Sequence, residues 1–378
     1  MNNTSLPNPV MITKPDALNR MVNQMANEPI LAVDTESNSL YAYQEQVCLI
    51  QFSTPKDDFL VDPLALDDLS PLEVLFADPD IEKIFHAAEY DLISMKRDYQ
   101  FVFENLFDTM IAARILGWEH LGLGSILKSE FAVDLNKRYQ RANWGRRPIP
   151  LEMMSYARLD THYLIPLRYR LKSELVSRKR WPLAEEDFER LRYVNGRDPQ
   201  DRPELCWRVR GAYDLDPQQA AVLLELCRYR TEVAKSINRP VFKVISDKTL
   251  MAITEACPRT AKELQGVPEL SQKQFHRHEE GLLIAVEAGL LAKPVYPPRS
   301  PKPDEQYLAR LDALRNWRKR TARQVQVKSD VILPRDVMYD IVTHNPSNQE
   351  ELAQVMTQVP WRFKQYGDQI LAMLAEPS

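Results

Sequence analysis

Two carboxylates separated by one residue, Asp34 and Glu36, follow the short apolar run 30–33. Side chains two positions apart on a strand project to the same face, so these two carboxylates would repel each other. A purely structural explanation of this pair is therefore weak unless a cation lies between the two carboxylates. Mg²⁺ prefers oxygen ligands of this kind. The pair predicts a divalent-metal site, with a polar turn after the strand as the alternative.

Three further side chains could complete such a site. Asp91 is expected one turn into a helix that begins just after a strand. Tyr156 and Asp160 are four residues apart on a predicted helix, and this spacing puts a phenol beside a carboxylate on one face, able to act on one bound water. The alternatives are a solvated Asp91 and an amphipathic helix with a packed tyrosine and a wet aspartate. Each of these features by itself is weak evidence for a metal site.

The elements that would position these residues can be predicted from the pattern of apolar residues. Short runs rich in strand formers occur at 30–33, 47–52, 59–61 and 83–86. Helices are predicted over 87–99 and 109–116, the latter with Asp108 as its N-cap, and from Leu151 to about Arg178, interrupted near Pro166. Strands followed by helices predict a layered α/β domain over roughly residues 10–200.

Beyond that domain the chain is predicted to be all-helical and contains an internal repeat with a constant offset of 88 residues. Matched positions at this offset are mostly apolar, as expected for two copies of one core; they include Leu223 and Leu311, Leu226 and Leu314, Arg230 and Arg318, Ile253 and Ile341, and Phe275 and Phe363. The segment 292–303 between the copies contains five prolines. It predicts an extended, semi-stiff spacer.

The composition restricts the classes of protein that the chain can be. Hydrophobic residues make up 44% and charged residues 27% of the sequence, which is typical of a globular protein. Neither an apolar run long enough for a membrane span nor a secretory signal is visible, and no P-loop or dinucleotide motif occurs. The four cysteines are widely spaced, which favours reduced thiols and a cytoplasmic protein.

The order of the acidic residues resembles a known family. Asp-x-Glu after a strand, one aspartate some fifty residues later and Tyr-x-x-x-Asp on a late helix resemble the tyrosine-containing branch of the DEDD exonuclease superfamily. Segments 83–92 and 107–114 are similar to the second conserved block of ribonuclease D and its following helix. Segment 143–148 is similar to the stretch before the third block, although Asn143 stands where the family often has aspartate. The repeat copies resemble HRDC domains.

This resemblance implies a fold and a division into domains. The fold is α/β, with a ribonuclease H-like mixed-sheet exonuclease domain followed by two small all-α HRDC-type domains. We place the exonuclease domain at 1–200, the first HRDC-type domain at 201–292, a proline-rich linker at 293–304 and the second HRDC-type domain at 305–378.

The resemblance also implies an activity. Asp34, Glu36, Asp91 and Asp160 would bind two divalent metal ions, Mg²⁺ or Mn²⁺, and Tyr156 would hold the attacking water. The expected enzyme is a 3′–5′ exoribonuclease that trims tRNA precursors and other structured RNAs and releases nucleoside 5′-monophosphates. A 3′–5′ DNA exonuclease and a non-catalytic RNA-binding adaptor are the alternatives.

Several residues are candidates for binding the RNA. The segment 137–147 holds five basic and two aromatic residues and no acid, a mixture that binds single-stranded ends. Its expected contacts are Arg141, Trp144, Arg146 and Arg147, with a core role for Trp144 as the alternative. Thr35, Leu40, Tyr41 and His86 are further candidates near the carboxylates, and core packing or a structural histidine are their alternatives. We expect a monomer that contacts no membrane, with HRDC domains that bind RNA or protein partners.

Overall fold

A computed structural model describes residues 6–195, 205–298 and 304–375. Six strands form one sheet in the order β1-β4-β3-β2-β5-β6. Their bounds are β1 (Val10–Ile12), β2 (Ile30–Ser37), β3 (Val47–Ser53), β4 (Asp58–Val61), β5 (Glu82–Phe85) and β6 (Leu106–Asp108). Strand β3 runs antiparallel to β2 and β4, and the other neighbouring pairs are parallel. This mixed sheet confirms the predicted α/β class.

The helices that accompany the sheet are α1 (Pro15–Met25), α2 (Glu73–Ala77), α3 (Glu89–Tyr99), α4 (Thr109–Leu116), α5 (Leu123–Phe131), α6 (Leu151–His162), α7 (Leu164–Ser177) and α8 (Trp181–Leu191). The predicted break near Pro166 lies earlier, at Tyr163. Pro166 is in the first turn of α7, where its missing N–H has no helical partner to lose. The predicted N-cap is confirmed, because the Asp108 carboxylate accepts hydrogen bonds from the N–H groups of Met110 and Ile111 at 2.7 and 3.0 Å.

Strand β2 is longer than the apolar pattern predicts. It continues through the acidic residues to Ser37, because β3 supplies a hydrogen-bonding partner for each of them, with Asp34 opposite Gln51 and Glu36 opposite Leu49. Alternate residues of β2 and β3 project to opposite faces of the sheet. Val33 and Phe52 belong to the core that also contains α1, α2 and α3, whereas Leu49 packs on the other face with residues of α6.

The repeat in the sequence is a structural repeat. The first copy consists of α9 (Pro217–Ser236), α10 (Val241–Val244), α11 (Asp247–Ala256), α12 (Ala261–Gln265) and α13 (Gln272–Leu291), and the second of α14 (Glu305–Gln324), α15 (Ser329–Ile332), α16 (Arg335–His344), α17 (Gln349–Val355) and α18 (Pro360–Ala375). Equivalent arginines make equivalent bonds. Arg230 Nη1 donates to the Ile245 carbonyl at 3.1 Å, and Arg318 Nη1 donates to the Leu333 carbonyl at 2.9 Å.

The chain divides into two compact units. One contains Met1–Ser37, Val47–Gly196 and Lys302–Ser378, and the other contains Asn38–Gln46 and Arg197–Pro301. The second helical copy thus belongs to the same unit as the sheet, although the sequence analysis placed it in a domain of its own. The predicted boundary at residue 200 and residues 299–303 of the predicted linker lie outside the described residues. The three predicted boundaries stay predictions.

A buried cluster of charges joins the second copy to α8. Arg362, in the first turn of α18, has a fully buried side chain. Its guanidinium donates to Glu186 at 2.5 Å and to both carboxylate oxygens of Asp187 at 2.8 and 2.9 Å, and it also donates to the Val331 carbonyl at 2.9 Å. Glu186 accepts hydrogen bonds from the N–H groups of Trp361 and Arg362 as well, at 2.5 and 3.2 Å. Helix α8 thus supplies the acceptor for N–H groups in the first turn of α18.

The prediction of four reduced thiols is wrong for two of the cysteines. Cys206 and Cys227 form a disulfide across a Cα–Cα distance of 6.1 Å, whereas Cys48 and Cys257 are free thiols. Sequence spacing did not reveal the pair, because the fold brings together residues 21 positions apart. Within the described residues, none of the helices is long and apolar enough to cross a membrane.

Candidate active site

Three elements carry the predicted carboxylates. Asp34 and Glu36 lie two residues apart on β2 and therefore project from the same face of the sheet. Asp91 lies in the first turn of α3, and Asp160 lies on α6 one turn after Tyr156. Helix α6 is held against β3 by a 2.7 Å hydrogen bond between the hydroxyls of Ser53 and Thr161. The sheet and this bond thus fix the position of Asp160 relative to β2.

The electrostatics of these side chains show that they are close together. Burial and then the charge of Asp160 raise the pKa of Asp34, and burial and then the charge of Asp34 raise the pKa of Asp91. Burial and the charges of all three aspartates raise the pKa of Glu36. Burial raises the pKa of Asp160 to about 8. Asp34 and Glu36 keep some surface open to solvent, but protein atoms surround them closely. The four acidic groups thus lie within electrostatic reach of one another.

Two hydroxyls donate hydrogen bonds to these carboxylates. The Thr35 hydroxyl donates a hydrogen bond to Asp91 Oδ1. Thr35 therefore positions a carboxylate, and its predicted contact with RNA stays a prediction. The Tyr156 phenol is hydrogen bonded to Asp160. Burial and then the charge of Asp160 raise the pKa of Tyr156 above its usual range, so the phenol is protonated at neutral pH and acts as a donor. This arrangement favours orientation over proton abstraction as its role.

The donor set fits a hard divalent cation. Four carboxylates that raise one another's pKa form a cluster of negative charge without a basic partner among them, and Mg²⁺ and Mn²⁺ prefer such oxygen ligands. In the described part of the chain, no three His, Cys, Asp or Glu side chains are arranged so that they could hold a metal ion as they stand.

Asp108 positions the helix that carries Asp91. Its carboxylate accepts hydrogen bonds from the N–H groups of Ala87 and Ala88 at 3.2 and 2.7 Å, in addition to capping α4. The sequence predicted the cap but missed this second role, because a single carboxylate that serves two helix starts leaves no separate signal. His86 lies beside this carboxylate, and its Nδ1 is 2.9 Å from the Thr109 hydroxyl. Burial lowers the pKa of His86, so the ring is neutral at neutral pH.

Parts of the chain match known protein families. Residues 9–176 match the family model of a 3′–5′ exonuclease, and residues 219–286 and 307–374 each match the model of the HRDC domain. The two HRDC matches have the offset of 88 residues found within the sequence. Ribonuclease D of Pseudomonas paraeruginosa is 28% identical over 95% of both chains. The crystal structure of Escherichia coli RNase D, described as an exoribonuclease involved in structured RNA processing, has a TM-score of 0.72 at 25% identity and covers 98% of this chain and 99% of that chain.

The chain belongs to the ribonuclease D family of 3′–5′ exoribonucleases. Human exosome complex component 10 is also related, at 39% identity over 72% of this chain, although the match spans only 32% of that longer protein. Enzymes of the DEDD exonuclease family, to which ribonuclease D belongs, generally use divalent metal ions. The cluster of carboxylates is therefore the candidate for the catalytic centre of this chain.

The basic segment 137–147 contains both buried and exposed side chains. Trp144 is only 1% exposed and packs beside Tyr156, so it has no open face on which an RNA base could stack. The Arg147 guanidinium is held by both carboxylate oxygens of Asp62 at 2.6 Å and by the Cys48 carbonyl at 2.7 Å. The burial of Trp144 favours the core role that the sequence analysis gave as the alternative to base stacking. The predicted contact of Arg147 with RNA stays a prediction. Arg141 and Arg146 are exposed.

Leu40 and Tyr41 belong to the other compact unit, which contains the first helical copy. Within that unit the Lys243 ammonium lies 4.0 Å from the centre of the Tyr41 ring, and Asn238 Oδ1 accepts the Tyr43 N–H at 3.0 Å. Leu40 is 39% exposed. The predicted contacts of Leu40 and Tyr41 with RNA stay predictions.

Proposed function

We propose that Asp34, Glu36, Asp91 and Asp160 are the metal ligands of a 3′–5′ exoribonuclease that works with two divalent cations, Mg²⁺ or Mn²⁺. The proposal rests on one observation. Four carboxylates from three separate elements lie close enough to raise one another's pKa, although such a cluster destabilises the fold. A cation bound between the four carboxylates removes this repulsion, and cation binding would be the function of the cluster.

The roles of the side chains follow from their chemistry. Two bound cations would supply an activated water and stabilise the charge on the leaving 3′-oxygen. The carboxylates would accept that positive charge in their ionised forms. Tyr156, protonated and next to Asp160, would hydrogen bond the attacking water and orient it, and Thr35 would hold Asp91 in place. The product would be a nucleoside 5′-monophosphate.

The substrate would be RNA with a single-stranded 3′ end. Arg141 and Arg146 are exposed in a segment without acidic residues, and such side chains contact phosphates. tRNA precursors are the proposed substrates, since they are structured RNAs with a 3′ extension. We expect the enzyme to act as a monomer in the cytoplasm.

A 5′-labelled RNA oligonucleotide and a DNA oligonucleotide of the same sequence test the proposal. Each is incubated with the full-length chain in Mg²⁺, in Mn²⁺ and in chelator. We expect a ladder of RNA products shortened stepwise from the 3′ end, nucleoside 5′-monophosphates as the released product and no reaction in chelator.

Each other result would change the conclusion. A ladder that persists in chelator would remove the metals from the mechanism. Equal degradation of DNA would favour the alternative of a 3′–5′ DNA exonuclease. RNA binding without shortening would favour the non-catalytic RNA-binding adaptor.

A further inference from the structure

A glutamine lies at the centre of the sheet without a hydrogen-bonding partner. All seven residues of β3 are buried, and Gln51 is 0% exposed. Neither its Oε1 nor its Nε2 has a partner among the described residues. A buried polar group without a partner destabilises the folded state, so an apolar side chain would suit this position better if the position served only the fold.

The strand register places Gln51 beside the carboxylates. Gln51 is directly opposite Asp34 across the antiparallel pair β2–β3. Residues opposite each other in such a pair project to the same face, with Cβ atoms about 5 Å apart. Gln51 and Asp34 therefore share one face of the sheet.

Helix α6 covers this glutamine. Leu49 and Ser53, two residues to either side of Gln51, project to the same face. Leu49 packs in a cluster with Tyr156 and Ala157, and the Ser53 hydroxyl is bonded to Thr161. Gln51 thus lies between these two contacts, beneath the part of α6 that carries Asp160.

We propose that Gln51 is a positioning residue of the carboxylate site. Its Nε2 donates a hydrogen bond to the Asp34 carboxylate when that group is ionised and holds a cation, and this bond fixes the orientation of the ligand oxygen. Hydrogen bonds of this kind to a metal-binding carboxylate typically change metal affinity by about 10–100-fold. The inference rests on the proposed function, because it assumes that Asp34 is a metal ligand.

Two apolar substitutions in the full-length chain, Gln51→Met and Gln51→Leu, test this role. Mn²⁺ alone is titrated calorimetrically, Tm is measured in chelator, and kcat and KM are measured with the RNA oligonucleotide. We expect Mn²⁺ affinity to fall about tenfold or more and kcat to fall with little change in KM. We expect Tm in chelator to stay the same or rise, because an unpartnered polar group has been removed. Ile50→Met, on the same strand but on the opposite face, is the control and should leave Mn²⁺ affinity unchanged.

A merely structural glutamine would give the reverse pattern. Mn²⁺ affinity equal to that of the unmodified chain in either variant would overturn the inference. So would a lower Tm in chelator or a loss of folding in both variants, because Gln51 would then have stabilising partners. Asp160→Asn separates this failure from that of the proposed function. If Asp160→Asn is inactive while Gln51→Met binds Mn²⁺ normally, only the role of Gln51 is lost.

Discussion

Two clusters of buried acidic residues in the same compact unit differ in how their charge is balanced. At the contact of α8 with α18, Glu186 and Asp187 face the buried guanidinium of Arg362, and main-chain N–H groups satisfy the remaining oxygens of Glu186. Burial raises the pKa of Glu186, and Arg362 opposes that rise. At the candidate active site, burial raises the pKa values of Asp34, Glu36 and Asp91, and the charges of neighbouring acidic groups raise them further. No basic side chain is among the causes that oppose this rise.

The difference separates a structural cluster of charges from a functional one. A cluster that only holds two elements together needs a complete set of partners, because an uncompensated buried charge is costly. A catalytic cluster must leave that compensation to the cation that it binds. Among the residues that the structure describes, no arginine balances the charge of Asp34, and this is as informative as the presence of Arg362 beside Glu186.

The largest expected effect is the loss of catalysis in Asp160→Asn. Removing one ligand should lower kcat on the RNA oligonucleotide about a thousandfold or more, the equivalent of roughly 4 kcal/mol. The metal-free protein should keep its thermal stability, because burial raises the pKa of Asp160 to about 8 and the amide replaces a group that is largely uncharged at neutral pH. Asp67→Asn, an exposed aspartate, is the control and should be as active as the unmodified enzyme. Near-normal turnover by Asp160→Asn would refute the ligand assignment.

Arg362→Met should have the opposite profile. It leaves Glu186 buried and Asp187 half-buried without the guanidinium that they share, so the free energy of unfolding should fall by about 3–5 kcal/mol. Chemical denaturation monitored by circular dichroism measures this loss. Arg228→Met removes the arginine of an exposed pair with Glu225 and should change the stability by no more than about 1 kcal/mol.

A triple variant tests whether the charge is the cause. Arg362→Met combined with Glu186→Gln and Asp187→Asn should recover part of the lost stability, because no charge remains buried alone. If Arg362→Met unfolds like the unmodified chain, the contrast between the two clusters does not hold.

Metal binding should stabilise the chain through the carboxylates of the candidate active site alone. At a Mg²⁺ or Mn²⁺ concentration of about 100 Kd, the free energy of unfolding should rise by about 2.7 kcal/mol, and chelator should reverse the rise. Thermal denaturation with and without metal measures the effect. Asp160→Asn should reduce it, whereas Arg362→Met should retain it. An equal metal-induced shift in Asp160→Asn would place the cation elsewhere.

Tyr156→Phe should be a milder catalytic defect than the loss of a ligand. Without the phenol the water is less well oriented, and kcat should fall about tenfold to a hundredfold. Calorimetric titration with Mn²⁺ should show that metal affinity is nearly unchanged, since the four carboxylates remain. Unchanged kcat would exclude Tyr156 from the mechanism.

The smallest effect concerns Lys83, a third kind of buried charge. Its ammonium donates to the Asp78 carbonyl at 2.6 Å, and burial lowers its pKa from 10.5 to about 8. Between these values the unfolded chain binds more protons than the folded chain, so this group adds stability as the pH rises from 8 to 10.5. Thermal denaturation across that range should show Tm rising relative to Lys83→Met, which should be the more stable protein below pH 8. Parallel pH profiles would contradict the shift.

The sequence by itself determined the features that depend on local rules. The two-residue spacing of Asp34 and Glu36 fixes their common face on any strand, and the four-residue spacing of Tyr156 and Asp160 fixes theirs on any helix. The cap at Asp108 and the repeat at an offset of 88 residues were likewise readable, since each is a pattern of neighbouring residues. These patterns were enough to predict the α/β class and the family.

Only the tertiary structure decided which distant residues meet. The approach of Asp91 and Asp160 to β2, the position of Gln51 opposite Asp34 and the pairing of Arg362 with α8 all depend on strand register and on the packing of helices far apart in the chain. Burial also decided between open alternatives, as for Trp144, which lies in the core. Sequence periodicity specifies the face on which a side chain lies, but the partner of that face is set by long-range packing, and this is why the candidate site could be foreseen only in part.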